Sequence, residues 1–338
     1  MKPRPVRSRV DRFVKGLRNC THAAVSLLRR AMLVSERIGE AGPAALASGS
    51  GGAIVPAAGP WVAAPGEPDF NAWYDIPVQM LADQWTFLDW SLFAAIPVEE
   101  WLRGGFDDDR FKHTADAIRR CIDRYNASSL WVATEIVRSP TPRARASAYV
   151  RFVALALLLH RLHDFSGLSA VLSGLQNEAV TRMHQTMRLI PHEAASQVAT
   201  LREIFAPSGL NAAYFDALAE VPRGEPVVPH LGPHHSRLTG VGAQIPDVYP
   251  GQESLPLLHL TKWRQLYHLV APLAEFQERS YQGIIDAPVR SVCALLDSSL
   301  RPHAFTHPDD AAAAREALLR QSEALEPEEI VAGEFDQY

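Results

Sequence analysis

The feature that most limits what this chain can become is a short segment that is apolar on every side. Residues 152–159 read Phe-Val-Ala-Leu-Ala-Leu-Leu-Leu, and His160, Arg161 and His163 follow at once. The run is too short for the roughly 18 to 20 apolar residues that span a bilayer. A helix that is hydrophobic all round needs neighbours on all sides, so it belongs at the centre of a helical bundle. The flanking sequence agrees. Leu81, Trp85, Leu88, Leu92 and Phe93 recur at helical spacing, as do Val150, Val153, Leu157 and Leu158, and residues 257–281 form a third long segment of this kind. Runs of alternating Val, Ile and Thr bounded by turn residues, the signature of strands, are scarce. The expected fold class is all-α, one helical bundle.

Punctuation sets the limits of that bundle. Residues 41–68 are dominated by Gly, Pro, Ala and Ser without a period and read as a linker, although Trp61 has a side chain that can dock. Pro140 and Pro142 break the chain between two helices. Asp83 is a candidate cap, and Gly209 stands where a helix should stop. The sequence after Pro308, with Ala-Ala-Ala-Ala-Arg-Glu-Ala-Leu-Leu at 311–319, favours helix and then turns acidic. The expected organisation is a basic segment and linker over 1–70, the bundle over 71–300, and a helical to acidic tail over 301–338.

Composition narrows the function classes. At 47% hydrophobic residues the chain can fill a substantial core and is not wholly disordered. A formal charge of −5 argues against a chain that binds polyanions as a whole. The charge is uneven. Lys2, Arg4, Arg7, Arg9, Arg12, Lys15, Arg18, Arg29 and Arg30 face only Asp11 near the start, whereas Glu326, Glu328, Glu329, Glu334 and Asp336 crowd the end. The basic start is expected to give weak contact with anionic membranes. Its Arg-rich, acid-poor composition also fits a transit peptide or a solvated helix. Cys20, Cys121 and Cys293 are odd in number and form no CxxC pair, which argues against a disulfide framework or a cysteine zinc site. A reducing, cytoplasmic location is expected, peripheral to a membrane at most.

Covalent chemistry finds no foothold. There is no phosphate-loop motif, no GxSxG elbow and no HExxH. His230, His234 and His235 are close enough to suggest a metal, but no carboxylate or cysteine adjoins them, and Gly232 and Pro233 interrupt the spacing. Trp85, Trp90, Trp101 and Trp131 lack interleaved basic residues and read as core, not as a base-stacking platform. No metal, cofactor or nucleic acid is expected, nor a conventional enzyme.

Four segments, in order, resemble the catalytic domain of Ras guanine-nucleotide exchange factors, the RasGEF family. Residues 81–102 supply Ala82, Gln84, Thr86, Asp89, Leu92, Phe93, Ile96 and Glu99. Residues 126–183 supply Asn126, Trp131, Glu135, Ile136, Arg145, Ala146, Asp164, Phe165, Gly174, Leu175 and Arg182. Residues 226–247 supply Pro229, Leu231, Gly232, Leu238 and Pro246, and residues 257–281 supply Lys262, Phe276, Gln277 and Tyr281. The resemblance spans about 70–300. It implies a bundle with a protruding helical hairpin, a Ras-family small GTPase as partner, and catalysis of GDP release without covalent chemistry.

By this resemblance Gln176, Thr181, Arg182, His230 and Leu231 would contact the GTPase, and Leu238, Thr239 and Ala243 would act beside the nucleotide. A gapless match places Thr239 where the family has a hydrophobic wedge and Ala243 where it has an acidic residue. Gly240, Gly242 and Pro272 would weaken or kink the hairpin helices. Gln176 and Asp164 stand where the family usually has Asn. These departures give a second expectation, a catalytically silent module that binds a GTPase.

Overall fold

The computed structural model describes residues 61, 66–102, 116–246, 259–281, 288–305 and 307–327. The basic N-terminal segment, most of the linker and the acidic end beyond 327 lie outside the described residues. Helices α1 to α13 run over Val78–Ala94, Val98–Leu102, Asp116–Arg138, Pro142–Arg161, Phe165–Leu175, Glu178–Thr181, His184–Met187, His192–Glu203, Ala212–Glu220, Leu231–Gln244, Leu260–Glu278, Arg290–Leu300 and Pro308–Leu325. Among the described residues there is no strand, only an isolated parallel bridge between Asp164 and Val228. The architecture is all-α. None of the described helices is long and apolar enough to cross a membrane.

The chain divides into two units. The larger holds the described residues of 57–96, 116–233 and 276–327; the smaller holds those of 97–115 and 234–275.

In the larger unit the apolar run of α4 packs into the core. Phe152, Val153, Leu155, Ala156, Leu158 and Leu159 are all buried. Thr141 starts the helix by accepting a hydrogen bond from the Ala144 amide at 3.1 Å, and Pro142 fits the first turn, where no amide partner is needed. The helix ends at Arg161, and His163 takes a left-handed φ of 56°. Around α4 the aromatic rings interlock. Trp73 stacks on Phe152 at 4.5 Å between centroids, and Trp131 meets Phe152 edge-on at 5.5 Å. Trp85 and Trp131 are fully buried, and Trp61 reaches Phe87 at 6.1 Å.

Helix α5 approaches α3 closely because Gly174 lacks a side chain. A Cβ there would lie 2.6 Å from both the Ser129 carbonyl oxygen and the Val132 Cβ. Gly167 is similarly confined, with Asp164 Oδ2 and Trp85 Nε1 each 2.7 Å from where its Cβ would be.

Several polar residues of the family resemblance turn out to tie helices together. The Gln84 side-chain oxygen accepts from the Val289 amide at 2.9 Å and from Cys293 Sγ at 3.4 Å, joining α1 to α12. Gln277 donates to the carbonyls of Phe93 and Ile96, both at 2.8 Å, and the Tyr281 hydroxyl donates to the Leu162 carbonyl at 2.7 Å. Glu135 accepts from Trp73 Nε1 at 2.8 Å.

Three sequence expectations need correction. Asp83 caps nothing: α1 begins five residues earlier at Val78, and Asp83 accepts from Gln79 within the helix at 2.8 Å. Pro77 sets that start, because an amide-free residue ahead of the first turn leaves no hydrogen bond unmade. Gly209 sits past the end of α8, with a φ of 61° in a short 3-10 turn. The segment after 300 is also more than a tail. Helix α13 contributes buried Leu318 and Ser322 to the larger unit, and Glu326 just beyond it is 4% exposed.

Candidate partner-binding site

In the larger unit, the segment that leads into α10 runs beside the start of α5. Backbone pairing places Val228 beside the N-terminus of α5: the Phe165 amide donates to the Val228 carbonyl at 2.9 Å, and the Val228 amide donates to His163 at 3.1 Å. Two residues later the His230 amide donates to the buried Tyr214 hydroxyl at 3.0 Å. The His230 ring lies 5.4 Å from Tyr125, 5.7 Å from Phe205 and 6.3 Å from Tyr214. Burial among these rings pushes its pKa down to about 4, so it is neutral at physiological pH. His230 therefore fixes the start of α10 as one ring in an aromatic cluster. Among the described residues no three His, Cys, Asp or Glu side chains gather as a metal-holding group.

Tyr125 and Phe205 also face an open groove of about 700 Å³. Gln176 lines this groove with Ser169, Ser173, Asn177 and Arg202. Gln176 ends α5 and is exposed, and Asn177 caps α6 by accepting from the Ala179 amide at 3.0 Å. Gln176 and His230 thus border one region of the larger unit. Leu231 is largely buried and lines a small cavity with Asp89, Arg124 and Val228.

Thr181 and Arg182 follow at the end of α6. Thr181 is exposed. Arg182 is half-buried, and its Nη1 donates to the Glu326 carbonyl at 3.1 Å. Tyr125, Asn177 and Arg202 do not stand out in the sequence, and Glu326 stands there only as part of an acidic run. The run Gln176-Asn177-Glu178 did hold a signal, since an Asn ahead of an acidic residue is a usual helix start.

Leu238, Thr239 and Ala243 lie on α10 in the smaller unit. Leu238 is buried, Thr239 is half-buried and Ala243 is exposed. The Thr239 hydroxyl is engaged by its own helix, donating to the His235 carbonyl at 2.9 Å. Pro233 stands in the first turn of α10, where a missing amide costs nothing. Gly240 and Gly242 remain helical, and a Cβ at either would meet nothing within 4 Å. Lys262 Nζ donates to the Gly242 carbonyl at 3.4 Å. Pro272 lies inside α11, and the helix continues past it to Glu278.

Beneath the site is a buried charge cluster. Asp89 pairs with Arg124 and accepts from Trp85 Nε1 at 3.1 Å. Asp164 accepts from the Gly167 amide at 2.8 Å, while its second oxygen is buried without a hydrogen bond of good geometry. Burial, and next the Asp89 charge, hold the Asp164 carboxyl well above the usual carboxylate range.

Residues 80–264 match the family model described as RasGEF domain. Similar curated proteins include Ras guanine nucleotide exchange factor A of Dictyostelium discoideum, 26% identical over 258 residues, covering 75% of this chain and 41% of that protein. Ras guanine nucleotide exchange factor S of the same organism is 28% identical over 66% of this chain and 21% of its own length. Ras-specific guanine nucleotide-releasing factor 1 of Mus musculus is 27% identical over 66% of this chain and 17% of its own length. The chain spans less than half the length of each of these relatives.

Proposed function

Because this chain belongs to the RasGEF domain family, we propose that it is a guanine-nucleotide exchange factor for a Ras-type small GTPase. Such a factor makes no covalent bond. It binds the nucleotide-free GTPase more tightly than the loaded form, and linkage then requires it to weaken nucleotide binding by the same free energy. The family match carries this reading, because it takes in every proposed contact position from Gln176 to Ala243. In this reading the groove beside Gln176 receives a loop of the GTPase, and Gln176, Thr181, Arg182, His230 and Leu231 form the docking surface. The hairpin of α10 and α11 brings Leu238, Thr239 and Ala243 beside the nucleotide and displaces a switch loop sterically.

The test is release of a fluorescent guanine nucleotide from a panel of Ras-, Rap- and Ral-type GTPases. At least one is expected to release faster with the protein present, and no acceleration across the panel would refute exchange activity. One observation favours a second reading, a silent GTPase-binding module. The Thr239 hydroxyl is turned to its own helix, and Ala243 offers no charge against the phosphates. That reading requires a GTPase that binds without faster release. The basic residues near the N-terminus would add weak, salt-sensitive attraction to anionic lipid. Liposome binding that was equal with and without residues 1–35 at low salt would remove that addition.

A further inference from the structure

Helix α7, His184–Met187, has no side-chain cap of its own, since its N-cap residue Met183 makes no such bond. The cap comes from the far end of the chain. Glu326 Oε2 accepts from the Gln185 amide at 2.7 Å, and Oε1 accepts from the Thr186 amide at 3.2 Å and the Thr186 hydroxyl at 2.5 Å. The same Oε1 accepts from Arg145 Nη2 at 2.9 Å. Arg145 is 2% exposed and also donates to the Thr186 hydroxyl at 2.9 Å and to the Ser139 carbonyl at 3.1 Å. The carboxylate is thus enclosed by donors on α4 and α7.

The main chain of Glu326 does separate work. Its amide closes α13 by donating to Ser322 at 2.9 Å, and its carbonyl takes Arg182 Nη1 at 3.1 Å. A guanidinium is a rigid fork of donors. With one arm held on the Glu326 carbonyl, the direction of the rest follows from where that carbonyl lies. The carboxylate, held by Arg145, Gln185 and Thr186, determines that place.

We infer that Glu326 is a positioning residue for GTPase binding: its side chain anchors the end of α13 so that its carbonyl orients Arg182 and orders residues 182–188. The inference rests on the exchange-factor reading for its partner. It adds a residue that lies outside the family match at 80–264.

The experiment uses the full chain with Glu326→Gln, which keeps the shape but places an amide donor among donors. Hydrogen exchange is expected to speed up about tenfold or more at amides 182–188, while amides 152–159 of α4 stay within about twofold. Affinity for a nucleotide-free GTPase from the panel should fall about tenfold. Arg182→Ala should cause a similar loss, and the double variant should be little worse than either, because both act through one contact. Where Glu326→Gln does not fold, Thr186→Val removes one donor to the carboxylate and should change exchange and affinity in the same direction.

Unchanged exchange at 182–188, or losses of affinity that simply add, would overturn the inference. If the unaltered chain binds no GTPase, the exchange-factor reading fails, and the positioning role for binding falls with it. Faster exchange confined to 182–188 would then identify Glu326 as a local order determinant only.

Discussion

Asp164 shows how one atom's change is felt in a buried site. Its Oδ1 has a good partner in the Gly167 amide, but its other oxygen faces Thr86 and Asp89 deep in the protein. Two carboxylates share a single guanidinium, that of Arg124, so ionising both is unfavourable. Burial and the Asp89 charge raise the folded-state pKa of Asp164 above its unfolded value. A carboxyl shifted upward binds more protons in the folded state, so stability falls as pH rises from the unfolded pKa through the folded one. Asp164→Asn removes that penalty. Its oxygen can keep the Gly167 bond, and its amide would meet acceptors on Thr86 and Asp89. A gain of about 1 kcal/mol, or roughly 2–4 °C in Tm, is expected at pH 7. The gain should disappear as the pH falls to about 4, near the unfolded carboxylate pKa. Thermal melts at the two pH values check both size and sign, and a lower Tm at pH 7 would mean that Asp164 is held as a useful charge.

At the scale of elements, the contact between α5 and α3 depends on Gly174. A methyl group there would sit 2.6 Å from the Ser129 carbonyl oxygen, a backbone atom that cannot swing aside. Gly174→Ala should therefore cost about 1–3 kcal/mol through overpacking, despite the better helix propensity of Ala. Denaturant unfolding would measure it, and a neutral result would show that the two helices can separate slightly without loss. Most helices were readable from the sequence, because stripes such as Leu81, Trp85 and Leu88 repeat at the helical period and Pro140 and Pro142 mark a clean break. The burial of α4 followed from the apolar run at 152–159. Asp83 misled because a capping residue type also serves well inside a helix, where it bonds Gln79. The groove was only half legible. Gln176 came from the family resemblance, but Tyr125 and Arg202 join it through folding between distant helices, which leaves no local pattern. Glu326 was hidden for another reason: an acidic residue in an acidic run reads as solvated until a buried Arg145 is found against it.

On the scale of the whole molecule, that last pair ties the segment after 300 to the bundle. The sequence suggested a bundle complete at 300. Yet removing residues beyond 300 would take away Glu326 and leave Arg145, which is 2% exposed, without its carboxylate. An uncompensated buried charge costs about 3–5 kcal/mol. A chain ending at 300 is expected to melt at least about 6 °C below one ending at 327, and equal Tm values would show that the C-terminal helix is dispensable. Burial of Glu326 raises its pKa, but its bonds to Thr186, Arg145 and Gln185 outweigh that, and the net shift is downward. The pair has a further consequence in time. Arg145 and Glu326 are separated by 181 residues. At about 5–20 residues per second, a ribosome would make Arg145 roughly 10–40 s before its partner. During that interval the nascent bundle can collapse around α4, but the guanidinium must stay hydrated and keep a seam open to water. Emergence of Glu326 would close that seam, so the order that its carbonyl gives to Arg182 would come only after the core around α4 has collapsed.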